Sequence, residues 1–168
     1  MLYSLQPMDP DWKTRLSATL PFFGHRNWIV VADSAYPAQS NPGIETIVAG
    51  GDQIAVVKYV LEAISKSKHV RANVYADKEL AYVADSDAPG ILGYCRSLEA
   101  TLKGANVSYL PHEAIIHKLD ESAKLFRVLL IKTDMTLPYT SVFFELDCGY
   151  WTAEAEQRLR KALSAASE

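Results

Sequence analysis

Proton transfer near neutral pH is the chemistry most open to this sequence, because four histidines lie along it beside scattered carboxylates. An unperturbed imidazole titrates near pH 6.5, so it can give or take a proton under ordinary conditions. His25 follows Gly24 and precedes the strand-forming run Trp28 to Ala32, and Asp33 follows that run. His112 follows Pro111. A residue placed just after a chain-turning Gly or Pro has its direction fixed and can face a cleft. His69, near Lys68 and Arg71 at the entrance to a strand, reads as a solvated histidine.

Other chemistries fit less well. "HEAIIH", residues 112–117, resembles the zinc-protease pattern but is one residue too long. At 100° per residue, a five-residue spacing sets His112 and His117 about 140° apart, so they share no helix face. A metalloprotease needs histidines at i and i+4. "VAGGDQI" has two glycines ahead of a helix but lacks the spacing of a dinucleotide loop, and it reads as a turn. No serine or cysteine sits in a nucleophile elbow. No cluster has metal-ligand spacing, so neither metal nor cofactor is expected.

The elements that must hold these residues follow from periodicity. Asp9-Pro10 has the form of a helix start, with Trp12, Leu16 and Leu20 recurring behind it until Pro21 and Gly24. A second helix begins near Asp52, with Ile54, Val57, Leu61 and Ile64 on one stripe. A third carries Ile91, Cys95, Leu98 and Leu102 and closes at Gly104, and a short one starts at Pro111. "WIVVA", "HVRANVYA", "NVSYL", "LFRVLLI" and "SVFFEL" read as strands, and "SAYPAQSNPG" as a loop. Thr152 caps a last helix ending near residue 165. Strands alternating with helices predict an α/β layered domain with a largely parallel sheet. The last two strands have no helix between them, which predicts one antiparallel pair.

Composition narrows the partners. The 168 residues suit one domain, 1–168, and 49% of them are apolar against 22% charged. A net charge of −3 gives no basic patch for nucleic acid. Arg158, Arg160 and Lys161 near the end of the last helix complement its dipole. Cys95 and Cys148 fit no zinc or disulfide framework and read as reduced thiols. The first residues lack a signal-peptide pattern, and no apolar run reaches the roughly 18 residues of a membrane span, so a cytoplasmic protein is expected.

Three segments resemble the ribose pyranase and fucose mutarotase family. "FFGHRNWIVVADSAYPAQS" has its Gly-His, apolar strand, Asp and Pro-bearing loop. "VSYLPHEAII" is similar to its strand, turn and His-Glu, and "PYTSVFFEL" to its Tyr-x-Asn and apolar strand. They occur in the family's order over a core of about residues 12–147, which leaves 148–168 as an added C-terminal helix. The resemblance implies a three-layer α/β/α fold. It implies a metal-free, cofactor-free enzyme that interconverts the cyclic forms of an unphosphorylated sugar such as fucose or ribose. It gives His25 as proton donor and Asp33, His112, Tyr139, Thr140 and Ser141 as sugar-binding residues. Thr140 and Ser141 stand where the family has a small residue and then Asn, so the choice of sugar, or turnover itself, is open. A non-catalytic sugar-binding or transport-accessory protein on the same scaffold is the alternative.

Geometry adds a condition. A strand rises about 3.3 Å per residue, so His25 and Asp33 should lie more than about 10 Å apart in one subunit, too far to close on one sugar. Either one of them is structural or the site is shared between subunits. The family's ring-shaped homo-oligomers, decamers among them, favour sharing.

Overall fold

The run from Trp28 to Ala32 has polar or turn-forming residues on both sides, and in the computed structural model it forms β1, with every residue buried. The structure describes residues 11–167, and the Asp9-Pro10 pair lies outside them. Within the described residues α1 (Trp12–Thr19) is capped by Asp11, whose carboxylate accepts from the Thr14 amide at 3.3 Å. After β1 come β2 (Ile44–Val48), α2 (Gln53–Lys66), β3 (Val70–Asp77), α3 (Ile91–Thr101), β4 (Asn106–Leu110) and α4 (His112–Ala123). The chain continues through β5 (Val128–Lys132), β6 (Val142–Cys148) and α5 (Ala153–Ala165).

The six strands form one sheet in the order β2-β5-β1-β6-β3-β4. β2, β5 and β1 pair in parallel, as do β3 and β4. β6 runs against both neighbours, β1 and β3, and joins the two parallel groups. The sheet is therefore mixed and mostly parallel. The reversed strand is the last one, but it does not lie beside β5 as the missing helix suggested; β1 separates them. The segment ahead of Gly50-Gly51 gave no strong strand signal, yet it forms β2. That strand is an edge, and only Ile44 and Ile47 of its five residues are buried.

Alternation along β1 sorts the core into two layers. Ile29 and Val31 face a cluster built with α1, α2 and α3. Trp28, Val30 and Ala32 face the other side, where Ile115, Leu119 and Ala123 of α4 cover the sheet. The architecture is α/β/α. His69 departs from its solvated reading: its Nε2 lies 3.1 Å from the Leu20 carbonyl oxygen and 3.0 Å from that of Phe23, which ties the end of α1's segment to β3. α5 has no buried residue at all. No helix among the described residues is long and apolar enough to cross a membrane.

One polar knot matters to the site. Gln53, at the start of α2, is 1% exposed. Its Nε2 donates to the Thr140 carbonyl, and its Oε1 accepts from Thr133 Oγ1 at 2.7 Å. Tyr94 of α3 donates to the same Thr140 carbonyl at 2.6 Å. These bonds fasten both ends of the connection between β5 and β6. Gln53→Ala should lower stability by about 1–3 kcal/mol, the range for stranding a buried polar group. Urea unfolding checks it, and an unchanged midpoint would show that the knot is not structural.

Candidate functional site

The five parallel strands, β1 to β5, end at one edge of the sheet, and β6 begins there. This is the edge at which open α/β sheets characteristically bind ligands. Asp33 follows β1, Asp77 is the last residue of β3, and His112 opens α4 after β4. Tyr139 and Ser141 lie just ahead of β6. A cleft of about 470 Å³ forms between them, lined by Asp33, Tyr36, Asp77, His112, Glu113 and Tyr139 among others. The structure therefore brings together Asp33, His112 and Tyr139.

Each of these is held by neighbours. Asp33 Oδ2 accepts from Ser141 Oγ at 2.9 Å, and Oδ1 accepts from the Ala35 amide at 3.0 Å. Asp77 Oδ2 lies 3.0 Å from His112 Nδ1. The Glu79 carboxylate accepts the His112 backbone N–H, 3.0 Å from each oxygen, and so caps α4, whose own cap position is Pro111. With Nδ1–H directed to Asp77, the tautomer leaves Nε2 of His112 free to face the cleft. The Tyr139 ring meets the His112 ring edge-on at 5.9 Å between centroids. Tyr139 holds a left-handed backbone, φ 57°, a conformation that a bulky residue rarely adopts. Such strain persists only where the surroundings enforce it. Here Thr140 beside it is pinned by Gln53 and Tyr94.

Thr140 and Ser141 are themselves buried, at 0% and 2% exposure. Thr140 Oγ1 donates to the Leu137 carbonyl at 2.8 Å. Their hydroxyls are turned to protein partners, and Ser141 reaches the cleft only through Asp33.

His25 is elsewhere. It lies at the opposite edge of the sheet, where β6 ends, with Nδ1 2.8 Å from Asp147 Oδ1. Arg71 donates to Asp147 Oδ2 at 2.8 Å. Partial burial alone would raise the Asp147 carboxyl, but hydrogen bonds from Arg71, the Cys148 amide and His25 hold it below its ordinary range. Arg26, next to His25, has φ 76°; it and Tyr139 are the non-glycine residues with positive φ among those described. Both sheet edges thus carry an imidazole–carboxylate pair bonded through Nδ1.

Asp77 goes unnoticed in the sequence, and Tyr36 reads there as an interface aromatic rather than as part of the site. Asp77 is 1% exposed and Tyr36 6%. Asp77 Oδ1 and the Tyr36 hydroxyl have no hydrogen-bond partner, although buried polar atoms are normally paired. Both residues line the cleft, with these two atoms closed to solvent in its wall. Burial pushes the Asp77 carboxyl above its ordinary value, and the His112 bond only partly opposes this. The Tyr36 hydroxyl is also pushed up by burial, so it stays a neutral donor. Among the described residues no group of three or more His, Cys, Asp or Glu is arranged to hold a metal.

The sequence profile of the RbsD / FucU transport protein family matches residues 10–149. No curated protein sequence matches the chain. Among solved structures, Bacillus subtilis RbsD complexed with D-ribose superimposes with a TM-score of 0.57 at 19% identity, covering 80% of this chain and 92% of that one. The Bifidobacterium longum FucU structure gives 0.54 at 14%, covering 80% and 94%. The Streptococcus pneumoniae fucose mutarotase in complex with L-fucose gives 0.50 at 21%, covering 86% and 98%. At these identities the likeness establishes the fold.

A pH signature follows from Asp77. Its folded carboxyl titrates above its unfolded value, so the unfolded chain releases that proton first as pH rises. The native protein therefore loses stability from about pH 4 upward, through the raised value. Asp77→Asn removes that titration. The melting temperature of the variant minus that of the wild type should increase with pH across this window. A difference that stays flat with pH would contradict the buried charge.

Proposed function

The chain belongs to the RbsD / FucU transport protein family, and from that premise we propose that it interconverts the ring forms of an unphosphorylated monosaccharide, with fucose and ribose the first sugars to consider. The observation that carries the reading is the Asp77–His112 pair facing a cleft in which two buried polar atoms, Asp77 Oδ1 and the Tyr36 hydroxyl, lack partners. A polyol supplies both donors and acceptors for such atoms. Asp33 would take a further hydroxyl, and the exposed Tyr139 ring would lie against the sugar's C–H face.

Ring opening moves two protons. One leaves the anomeric hydroxyl and one reaches the ring oxygen as the C–O bond breaks and the carbonyl forms. Closing on either face of the carbonyl reverses both. His112 Nε2 is placed to accept the first proton, while Asp77 holds Nδ1–H and stabilises the imidazolium that results. The second proton is assigned to His25, which no movement within one subunit can bring to this cleft across the buried length of β1. It is delivered by the His25 edge of a second copy, where Asp147 holds Nδ1 and Arg26, which donates to Nε2 at 3.4 Å, would turn away to free the proton-bearing nitrogen. General acid–base groups of this kind contribute about 10²–10⁴-fold each. The two imidazoles need only a neutral base and a protonated acid, so the scheme calls for no metal, and the cleft has no Arg or Lys to cradle a phosphate.

Saturation-transfer NMR of ring-form exchange, across a panel of free monosaccharides, tests the proposal. Wild type should accelerate exchange for at least one sugar, and His25→Ala and His112→Ala should each slow it by about 10²-fold or more. Sugar binding without accelerated exchange would instead favour a binding protein on this scaffold. Sharing has its own test: His25→Ala and Asp33→Ala proteins, inactive alone, should regain activity when their subunits are mixed and exchanged. No recovery despite demonstrated exchange would refute the shared site.

A further inference from the structure

Charge is sorted along the strands. At the edge where β1 to β5 end, the cleft is lined by Asp33, Asp77 and Glu113 and by no lysine or arginine. Lys78 and Lys132 lie near this edge but outside the lining. Around the cleft the carboxylates of Asp33, Glu79 and Asp134 are bonded to uncharged donors, the Ser141 hydroxyl and two backbone amides. Their negative charge is not cancelled by those bonds. At the opposite edge Arg26 stands just ahead of β1, Lys68 ahead of β3 and Arg127 ahead of β5. The acidic residues on that side, Asp147, Glu45 and Glu121, each hold a cation of their own subunit, from Arg71, Arg15 and Lys124. One edge has carboxylates in excess and the other has cations in excess.

Two unmatched groups sit beside the two imidazoles. Glu113 follows His112 on the first turn of α4. It is exposed, it lines the cleft, and among the described residues it has no hydrogen bond or ion pair. Arg26 follows His25 and has no carboxylate partner among the described residues. Its guanidinium lies 5.6 Å from the Phe126 ring centre, and its Nε donates to His25 Nε2 at 3.4 Å. That second contact is long, and it occupies the nitrogen that must carry a proton into the cleft. The Arg26 backbone is fixed, with its amide donating to the Leu146 carbonyl at 2.9 Å, so only the side chain has to move.

Building on the shared-site reading, we propose that the Arg26 guanidinium leaves His25 for the Glu113 carboxylate of the copy whose cleft His25 enters. Arg26 is then a positioning residue. The same ion pair seats the two copies and uncovers His25 Nε2. His25 and Arg26 are adjacent in the chain, as are His112 and Glu113, so bringing one imidazole toward the other brings the two charges together. A guanidinium offers a planar fork that a carboxylate accepts in two bonds, which fixes orientation as well as contact. Opposite charge on two edges also steers their encounter and sets its register. The contact joins unlike edges, so each copy gives its His25 edge to one neighbour and receives another's at its cleft.

The test uses two charge reversals in the full chain, Arg26→Glu and Glu113→Arg, with assembly mass read by analytical ultracentrifugation in the absence of sugar. Each alone sets like charges across every contact and should need at least about tenfold more protein to assemble than the wild type does. Mixed in equal amounts, the two should assemble again as alternating copies, because each meets the opposite charge on the other. Ring-form exchange, lost in each, should return in the mixture at the contacts that keep Arg26 and Glu113. The release is read on isotope-labelled Glu113→Arg protein, whose His25 imidazole resonances should shift when unlabelled Arg26→Glu protein is added. A wild type that does not assemble, reversals that leave assembly unchanged, or a mixture that stays dissociated would overturn the pairing; ring-form exchange by the wild type would then leave the sugar reading standing. Assembly restored by mixing with no change at His25 would overturn the release. Masses as expected, with no ring-form exchange by the wild type, would uphold the pairing and sink the sugar reading instead.

Discussion

β1 is the constraint on which the rest of the molecule depends. Its five residues are wholly buried, with layers packed on both faces and a hydrogen-bonded strand on each side. It cannot bend or fray without opening both cores. At about 3.3 Å per residue it holds His25 and Asp33 at opposite sheet edges. An active cleft must either do without His25 or borrow it. The same buried strand that makes the subunit stable makes it catalytically incomplete under the sugar reading.

β6 turns this separation into a repeated motif. Because it runs against β1, its first residues meet the Asp33 edge and its last meet the His25 edge. Ser141, just before β6, braces Asp33, and Asp147, near its end, holds His25. One reversed strand thus supports both halves of the proposed acid–base pair. The two histidines differ in setting and in bonding, since His25 Nε2 also accepts from Arg26 Nε at 3.4 Å. His112 is half-buried against a nearly inaccessible carboxylate, whereas His25 is exposed beside one that Arg71 also neutralises. The first arrangement suits a base that becomes charged during turnover, whereas in the second Arg26 must turn away before His25 Nε2 can present a proton.

Much of this was legible in the sequence wherever a side chain obeyed a period or followed a chain break. The strand and helix patterns gave β1, β3, β4 and the stripes of α2 and α3. Gly24 and Pro111 marked the two histidines. β2 was faint because an edge strand buries few of its residues. The antiparallel partner of β6 was misjudged because strand order is set by packing of distant segments, which local periodicity does not encode. Asp77 was invisible for a different reason. An acidic residue at a strand's end is ordinarily wetted, and only the fold reveals that α4 and the loop after β1 bury it. Thr140 and Ser141 stood out through resemblance, yet their hydroxyls are spent on Leu137 and Asp33, so their difference from an amide acts on the cleft through Asp33 and the carriage of Tyr139.

The buried carboxylate explains why the cleft is costly to maintain and why it persists. An unpaired oxygen on Asp77 and an unpaired hydroxyl on Tyr36 each weaken the native state by leaving a desolvated group without a partner. Neither is needed to build the core, since apolar side chains of similar size would pack there at no such penalty. The fold tolerates them because Gln53, Thr133 and Tyr94 lock the neighbouring connection from the opposite layer, where every bond is satisfied. Of the three unpartnered buried side-chain atoms among the described residues, Asp77 Oδ1 and the Tyr36 hydroxyl lie together where β1, β3 and β4 end, while Trp28 Nε1 lies at the start of β1, near the positive-φ Arg26. The first grouping is expected of a site whose missing hydrogen bonds are supplied by a ligand, and it makes ligand binding and subunit stability two readings of the same few atoms.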